Sequence, residues 1–523
     1  MKNPKDVLAA FDFSKKTEWV GDFLKFDIRT LEHLLTTKPE SFWLQEGEWR
    51  ALKLFHQAAI RVPAYKDFLA RHKIRPNSIC TIKDFTQVPP TDKKNYINAY
   101  PLEKRCWDGN LSRLNLLAIS SGTTGEPKFW PRGNYQEFEA GIIHELIYRN
   151  SFDIEKYRTL LIIGFPMGVY VSGVATLFPS LLVASKNYNM SIVSPGNNKA
   201  EVLRAVQNLQ KDFEQIILVG HPFFIKDVVE TGRTQGIHWS QKRLHMMFCS
   251  EGFNETWRRY VIAETGQRFG LRSTVSTYGS SELLLMAHET PLSIYVRSLM
   301  DKHAKFKEQL ISTSWIPSVF QYNPVMRYIQ QAGSDLIFTS PSGLPLIRYN
   351  LHDGGSIMTF QNIRATLDLQ HSSWQRELHA DSKSNALWQL PFVMLGSRTD
   401  QTVIFYAANI YPEHIHLALN YGPYLKKLTG KFTMHKHYLK NLDEFLEINV
   451  ELKPNMLASK LLAKSIESHV VQRLREINLE YLDMSTKFAH KKNIRPVIKL
   501  WPYQHEKHFK AGLKPKYIIT SMK

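Results

Sequence analysis

Ile119-Ser120-Ser121-Gly122-Thr123-Thr124-Gly125-Glu126-Pro127-Lys128 follows directly on the apolar run Leu116-Leu117-Ala118. One short stretch thus gathers Ser and Thr hydroxyls, two glycines and a lysine. Glycine lets a backbone turn tightly and bring its N–H groups close to an anion. The hydroxyls and the ammonium add donors and positive charge. Such a loop suits a polyphosphate and points to nucleotide chemistry. It is not a Walker-type loop, because the G-x-x-x-x-G-K-[ST] spacing is absent. Taken alone it also reads as a solvated turn.

Other donor-rich stretches follow in chain order. Ser276-Thr277-Tyr278-Gly279-Ser280-Ser281-Glu282 ends a β-branched approach in a tight turn. Leu344-Pro345-Leu346-Ile347-Arg348-Tyr349-Asn350-Leu351-His352-Asp353 ends on a carboxylate. Leu395-Gly396-Ser397-Arg398-Thr399-Asp400 precedes Asn409-Ile410-Tyr411-Pro412-Glu413. The basic run Lys507-His508-Phe509-Lys510-Ala511-Gly512-Leu513-Lys514-Pro515-Lys516 comes near the end.

In this order the stretches resemble the motifs of the adenylate-forming, or acyl-activating, enzymes. That superfamily includes acyl-coenzyme A ligases, luciferases and the adenylation domains of peptide synthetases. The resemblance implies nucleotide contacts from Ser120, Ser121, Gly122, Thr123, Thr124, Gly125 and Lys128. It also implies that Tyr278 lies beside the adenine, that Ser281 meets the α-phosphate, that Glu282 holds Mg²⁺, and that Gly279 and Ser280 are nucleotide-binding as well. Asp353 would grip the ribose hydroxyls, Arg398 would contact the ribose or phosphate side, and Asp400 would be the hinge of a rotating C-terminal domain. The catalytic lysine would be Lys514, with Lys510 the second choice because Leu513 shifts the usual Gly-Lys spacing.

Two further departures are local. His352 stands where the family usually has Gly before the Asp, so the turn there is expected to differ. Ala407-Ala408 stands where Gly usually precedes the Asn, and a methyl group there would crowd a thin pantetheine arm.

Arg61-Val62-Pro63-Ala64-Tyr65-Lys66 and Thr81-Ile82-Lys83-Asp84-Phe85-Thr86-Gln87-Val88-Pro89-Pro90-Thr91-Asp92-Lys93 are similar to the N-terminal region of phenylacetate–coenzyme A ligases. Val193-Ser194-Pro195-Gly196-Asn197-Asn198 and Leu218-Val219-Gly220-His221-Pro222-Phe223 fit that branch as well. So does Phe248-Cys249-Ser250-Glu251-Gly252, whose Glu251 aligns with an adenine-side acid. The resemblance runs from about residue 50 onward. It implies an α/β fold: a large N-terminal domain of β-sheets packed with helices plus a small barrel-like subdomain, and a small mobile α+β C-terminal domain. The expected division is 1–50 (helical extension), 51–396 (adenylation core) and 397–523 (mobile domain with the catalytic lysine). In the first segment Trp19, Phe23, Phe26 and Leu31 suggest an amphipathic helix. Phe165, Met167, Tyr170, His221, Phe223 and Phe224 are candidates to line an apolar or aromatic acyl pocket.

Composition agrees with a globular enzyme: 523 residues, 43% hydrophobic and 22% charged. Residues 160–185 carry no charge and are long enough to span a bilayer. Gly164, Pro166, Gly168, Gly173 and Pro179 interrupt them, so they read as a buried strand at 160–165, a turn and a buried helix. No secretory signal or membrane span is expected. Cys80, Cys106 and Cys249 lie far apart with no C-x-x-C pair, which suits reduced thiols and a cytoplasmic protein. Cys249 falls in an expected buried strand. The formal net charge is +19, and residues 485–523 hold ten Lys/Arg against the single acid Glu506. Such a block suggests a polyanionic partner: nucleotide phosphates, coenzyme A, an acidic carrier protein or nucleic acid.

The expected activity is ATP-dependent activation of an aryl or other apolar carboxylic acid as acyl-adenylate, with Mg²⁺, then transfer to an acceptor. Coenzyme A is the default acceptor; an amine, a carrier-protein thiol or a protein cysteine is the alternative. A non-catalytic nucleotide- or nucleic-acid-binding protein on the same fold is the reading from a different class, and intact Glu282, Asp353 and Arg398 argue against it. The oligomeric state is left open.

Overall fold

The apolar runs between turn signals become the strands of one large sheet. The computed structural model describes residues 27–509 and 517, apart from 113, 115, 120–127, 169–170, 251, 314–315, 383–386, 399–402, 407, 439–443, 488 and 490–491. Strands β1 (Leu116–Ile119) and β2 (Phe129–Arg132) pair antiparallel as a separate ribbon. Then β3 (Thr159–Ile163), β4 (Met190–Val193), β5 (Gln215–Gly220), β6 (Arg243–Cys249) and β7 (Thr274–Ser280) run parallel. Helices Val171–Ala184, Lys199–Leu209, Pro222–Thr234 and Glu255–Glu264 are the crossovers between them, as parallel strands require.

β8 (Leu284–His288) turns back on β7. β9 (Ser318–Gln321), β10 (Tyr328–Ala332), β11 (Asp335–Ser340), β12 (Leu346–Met358) and β13 (Phe392–Arg398) continue antiparallel. The result is an 11-stranded sheet in the order β10-β11-β12-β13-β9-β8-β7-β6-β5-β3-β4. β3 and β5 are buried at every residue, which is why Leu160–Ile163 and Ile216–Val219 read as apolar runs rather than alternating ones.

The uncharged segment forms β3, a turn and the helix Val171–Ala184 with Pro179 inside it. The helix expected to be buried is only half so. Gly173, Thr176, Ser180 and Val183 face inward, while Phe178 and Leu181 are 44% and 50% exposed. Absence of charge does not mean burial on all sides. No helix among the described residues is long and apolar enough to cross a membrane.

Leu31, Leu35 and Trp43 share a core with Leu161, Ile163, Ile217 and Val219 of β3 and β5. The helix Glu40–Arg61 runs without a break through position 50. Gly47 lets it touch the chain at Pro324: a Cβ there would lie 2.6 Å from the proline Cβ. Trp19, Phe23 and Phe26 lie outside the described residues.

Beyond β13, the strands β14 (Val403–Phe405), β15 (Ala408–Ile410), β16 (Leu428–Tyr438), β17 (Glu444–Leu452) and β18 (Val497–Trp501) join the helices Pro412–Leu419 and Lys460–Ile477. They enclose a separate core that includes Phe432, Ile448, Val450, Ile466, Val470 and Leu474.

A buried ion network fixes β7. Arg258 is fully buried and donates to Glu255 Oε1 at 3.1 Å, Thr274 Oγ1 at 2.7 Å and Glu289 Oε1 at 2.5 Å. Glu289 Oε2 also accepts the Ser276 N–H at 2.7 Å. Removing one member of such a set strands the others in low dielectric. We expect Arg258→Met to lower unfolding free energy by about 3–5 kcal/mol; a loss under about 1 kcal/mol in urea titration contradicts the role given to this network.

Candidate active site

A parallel sheet collects the C-terminal ends of its strands on one edge, and ligands bind in the crevice outside that edge. Here β3 runs into Phe165, β5 into His221, β6 into Ser250 and β7 into Ser280-Ser281-Glu282, while Gly196 lies just after β4. The Phe165 and His221 rings meet edge-on at 5.1 Å. Gly196, at φ +68°, would place a Cβ 3.4 Å from Met167 Cγ. Three candidates for the acyl pocket, Phe165, Met167 and His221, therefore gather at one end of the sheet. Phe223 lies in the first turn of the helix Pro222–Thr234, which His221 precedes as N-cap. Phe224 of the same turn packs under Gly164, whose Cβ would meet that ring at 2.6 Å. Tyr170 lies outside the described residues.

Tyr278 and Asp353 meet directly. The phenol donates to Asp353 Oδ2 at 2.5 Å, and both residues are buried. The Tyr278 ring stacks on Phe320 and meets Phe338 edge-on. Gly279 is needed where the hairpin closes, because a Cβ would stand 2.9 Å from the Leu284 carbonyl oxygen. Ser280 Oγ accepts the Leu283 N–H at 3.1 Å, so its hydroxyl is part of the turn itself. Across β12 and β13 the Cα of Asp353 is registered against that of Arg398. The departure at His352 is also explained. It adopts φ +60°, the left-handed conformation that glycine takes without strain, and Asn350 Oδ1 accepts its N–H at 2.6 Å.

The β1–β2 ribbon packs in this neighbourhood. Ile119 is paired with Phe129. Ala118 and Trp130 share a core with Tyr278, Phe320, Leu346 and Tyr349. Lys128, partly buried, stands just before β2. Ser120, Ser121, Gly122, Thr123, Thr124, Gly125, Glu251, Asp400, Lys510 and Lys514 lie outside the described residues.

Sequence reasoning missed three neighbours. Lys93 Nζ lies 2.9 Å from Glu282 Oε1. It is carried by a segment in which Thr91 exchanges backbone hydrogen bonds with Arg348 and Asn350, at 3.0 and 2.7 Å, and donates its hydroxyl to the Ile347 carbonyl. In the sequence the stretch 81–93 stands out only as a family feature; the place of Lys93 beside Glu282 depends on long-range pairing. Glu413 is the second. Burial pushes its carboxyl up to about 7, and the nearby Asp353 charge adds to this. The third is Lys226, which donates to the Leu425 and Leu428 carbonyls at 3.2 and 3.0 Å. Tyr503 Oη donates to Asp227 Oδ2 at 2.7 Å, and Lys453 pairs with Glu230. The helix that begins at the pocket thus also holds the C-terminal unit.

As for a metal, Glu282 is a buried carboxylate. One carboxylate beside phosphate oxygens is a donor set that Mg²⁺ accepts, and only the half-exposed Lys93 ammonium contacts it among the described residues. The residues fit the ion.

No protein-family profile and no curated protein sequence matches the chain. Solved structures do. The chain is similar to 2-hydroxyisobutyryl-CoA ligase in its postadenylation state in complex with R3-HIB-AMP, with 14% identity, TM-score 0.63, and 98% of this chain and 95% of that chain covered. Against the same ligase with 2-HIB-AMP and CoA in the thioesterification state the TM-score is 0.52 at 14% identity, covering 93% of this chain and 91% of that one. Against an open conformation with the same two ligands it is 0.53 at 14% identity, covering 98% and 97%. The chain has the fold of the adenylate-forming ligases.

Burial lowers Lys226 to about 7, with the neighbouring Lys453 charge acting in the same direction and Glu230 against it. Its folded value thus lies below the ordinary lysine value of about 10.4. The unfolded chain binds more protons between those limits, so stability rises with pH from about 7 to about 10 and is lost as pH falls through about 7. Denaturation midpoints of the wild type should therefore gain on those of Lys226→Met between pH 6 and pH 9. Parallel pH profiles for the two proteins contradict the assignment.

Proposed function

We propose that this protein activates a carboxylic acid with ATP, forming an acyl-adenylate and pyrophosphate, and then transfers the acyl group to an acceptor. The observation that carries this reading is the buried Tyr278–Asp353 pair at the C-terminal edge of the parallel strands, with Glu282 on the same turn as Tyr278. An aromatic ring and a carboxylate side by side suit adenine and vicinal ribose hydroxyls. A buried carboxylate one turn further on suits the cation that accompanies phosphates.

The chemistry asks for donors rather than a base. The acid is already ionised at pH 7. Its oxygen attacks the α-phosphorus in line, the new O–P bond forms, and the bond to pyrophosphate breaks. Both partners are anionic, so the site must hold them together and spread the charge. The hydroxyls and N–H groups of 120–125, Lys128 and Arg398 are the donors assigned to that task, and Lys514 or Lys510 bridges carboxylate and α-phosphate. Ser281 contacts the α-phosphate, Gly279 and Ser280 shape the adenine side, and Glu251 belongs to the same side. Mg²⁺ held by Glu282 supplies charge neutralisation at the phosphates. In this reading Lys93, paired with Glu282, yields the carboxylate when nucleotide and cation enter.

Phe165, Met167 and His221, with Tyr170 and Phe223, receive an apolar or aryl acid. Residues 397–523 act as the mobile domain with Asp400 as hinge, admitting the acceptor after adenylation. Coenzyme A is the default acceptor. A methyl group at Ala407-Ala408, where the family usually has Gly, would crowd a pantetheine arm and favours an amine, a carrier-protein thiol or a protein cysteine over the default. The free thiols Cys80, Cys106 and Cys249 suit a reducing, cytoplasmic setting.

Acid-dependent exchange of labelled pyrophosphate into ATP tests the first half-reaction across aryl, fatty and amino acids. Lys514→Ala or Lys510→Ala should lower it about 100-fold or more, and Glu282→Gln should shift its Mg²⁺ dependence to higher concentration. Unchanged exchange in both lysine variants removes the lysine assignment. Absence of exchange for every acid in the panel, together with salt-sensitive nucleic-acid binding, favours the non-catalytic reading. Stimulation of pyrophosphate release by coenzyme A alone identifies the acceptor.

A further inference from the structure

The polar face of the C-terminal sheet carries a cluster of imidazoles that the adenylation chemistry does not use. In β16 and β17, His435 is registered opposite Glu447 and His437 opposite Phe445. Residues opposite each other, or two apart on a strand, share a face. His435, His437 and Glu447 therefore project together, while Met434, Leu446 and Ile448 point into the core on the other side. One donor atom from each of His435, His437 and Glu447 lies within 4.8 Å of the other two. The two imidazole rings are 3.9 Å apart, and His437 Nε2 is 3.7 Å from Glu447 Oε2.

The cluster is held in place as a ligand set is held. His437 stacks on Phe445 at 4.8 Å with an interplanar angle of 16°. Asn449 Nδ2 donates to Glu447 Oε1 at 3.0 Å, orienting the carboxylate in the way outer-shell partners orient metal ligands. The Nε2 atoms of both His435 and His437 are shielded from solvent without a hydrogen-bond partner. Shielded imidazole nitrogens facing a carboxylate are costly as they stand. They are satisfied together by one cation of borderline softness.

We propose that His435, His437 and Glu447 bind a divalent transition-metal ion of the zinc type. Two imidazoles and a carboxylate are a familiar three-ligand set for such an ion, with the fourth position open to water or a further ligand. A tetrahedral ion with bonds of about 2.0–2.2 Å spaces its donors roughly 3.4 Å apart, so the triangle closes by about an ångström on binding.

Lys499 is the competitor. Its Nζ lies 2.6 Å from Glu447 Oε2, and its side chain is half exposed. A pair with one partner this exposed is weak, so a divalent ion displaces the ammonium into solvent. The site is distinct from the Glu282 region, where a hard-oxygen donor set suits Mg²⁺ rather than a zinc-type ion.

Cobalt(II) is the probe, added to the full chain after chelator treatment, with excess Mg²⁺ present to occupy oxygen-only sites and no ATP. The wild type should take up one equivalent with the visible d–d absorption of a low-coordinate site, and Zn²⁺ should displace it. The double variant His435→Ala/His437→Ala should lose that absorption and bind at least 100-fold more weakly, with an unchanged far-ultraviolet dichroism spectrum. Lys499→Met, which keeps all three ligands, should bind several-fold more tightly. Equal Co²⁺ affinity in the wild type and the double variant overturns the proposal. So does a wild type that takes up no Co²⁺ while Lys499→Met takes up none either. Neither readout depends on acid adenylation.

Discussion

Parallel strands can be joined only by crossovers, and a crossover returns the chain to the same starting edge each time. That constraint sets the geometry of this protein. With β3 to β7 pointing one way, the residues that follow them must fall along a single edge, however far apart they are in sequence. Phe165, His221 and the Tyr278–Glu282 turn meet there for that reason. The buried Arg258–Glu289 network then fixes β7 from behind through the Ser276 N–H.

The second half of the site comes from the other half of the sheet. β12 is antiparallel to its neighbours and delivers Asp353 to Tyr278. A buried phenol–carboxylate bond is charge-assisted and short, so it fixes both the ring and the carboxylate. The chain tolerates a left-handed His352 beside it. The segment 90–93 is laced to the same stretch through Thr91 and brings Lys93 to Glu282. The helix Pro222–Thr234 links the pocket to the C-terminal unit: His221 caps one end, and Lys226, Asp227 and Glu230 hold the contacts further along.

Much of this was legible in the sequence because turns carry their chemistry locally. Tyr278-Gly279-Ser280-Ser281-Glu282 announces a tight turn, and Gly279 is there for the steric reason the structure gives. The uncharged run 160–165 announces a buried strand, and β3 is buried throughout. What could not be read needed tertiary placement. Lys93 meets Glu282 only because Thr91 bridges Tyr349. Missing charges suggest a buried helix after β3, yet Phe178 and Leu181 of Val171–Ala184 face outward. His435 and His437 show the two-residue period of a strand face, but Glu447 joins them only through the register of β16 and β17. Residues 120–127, Asp400, Lys510 and Lys514 lie outside the described residues.

The proposed nucleotide site depends on Asp353 reading the ribose hydroxyls of an adenine nucleotide. Equilibrium binding of ATP and of 2′,3′-dideoxy-ATP to the wild type and to Asp353→Asn measures this in one cycle. Hydrogen bonds to a charged group are worth about 1.5–3 kcal/mol, so each single change should weaken binding roughly 10- to 100-fold. Both changes together should weaken it no further than one, because they remove the same contact. Losses that multiply, or an Asp353→Asn protein that binds ATP as the wild type does, contradict the account.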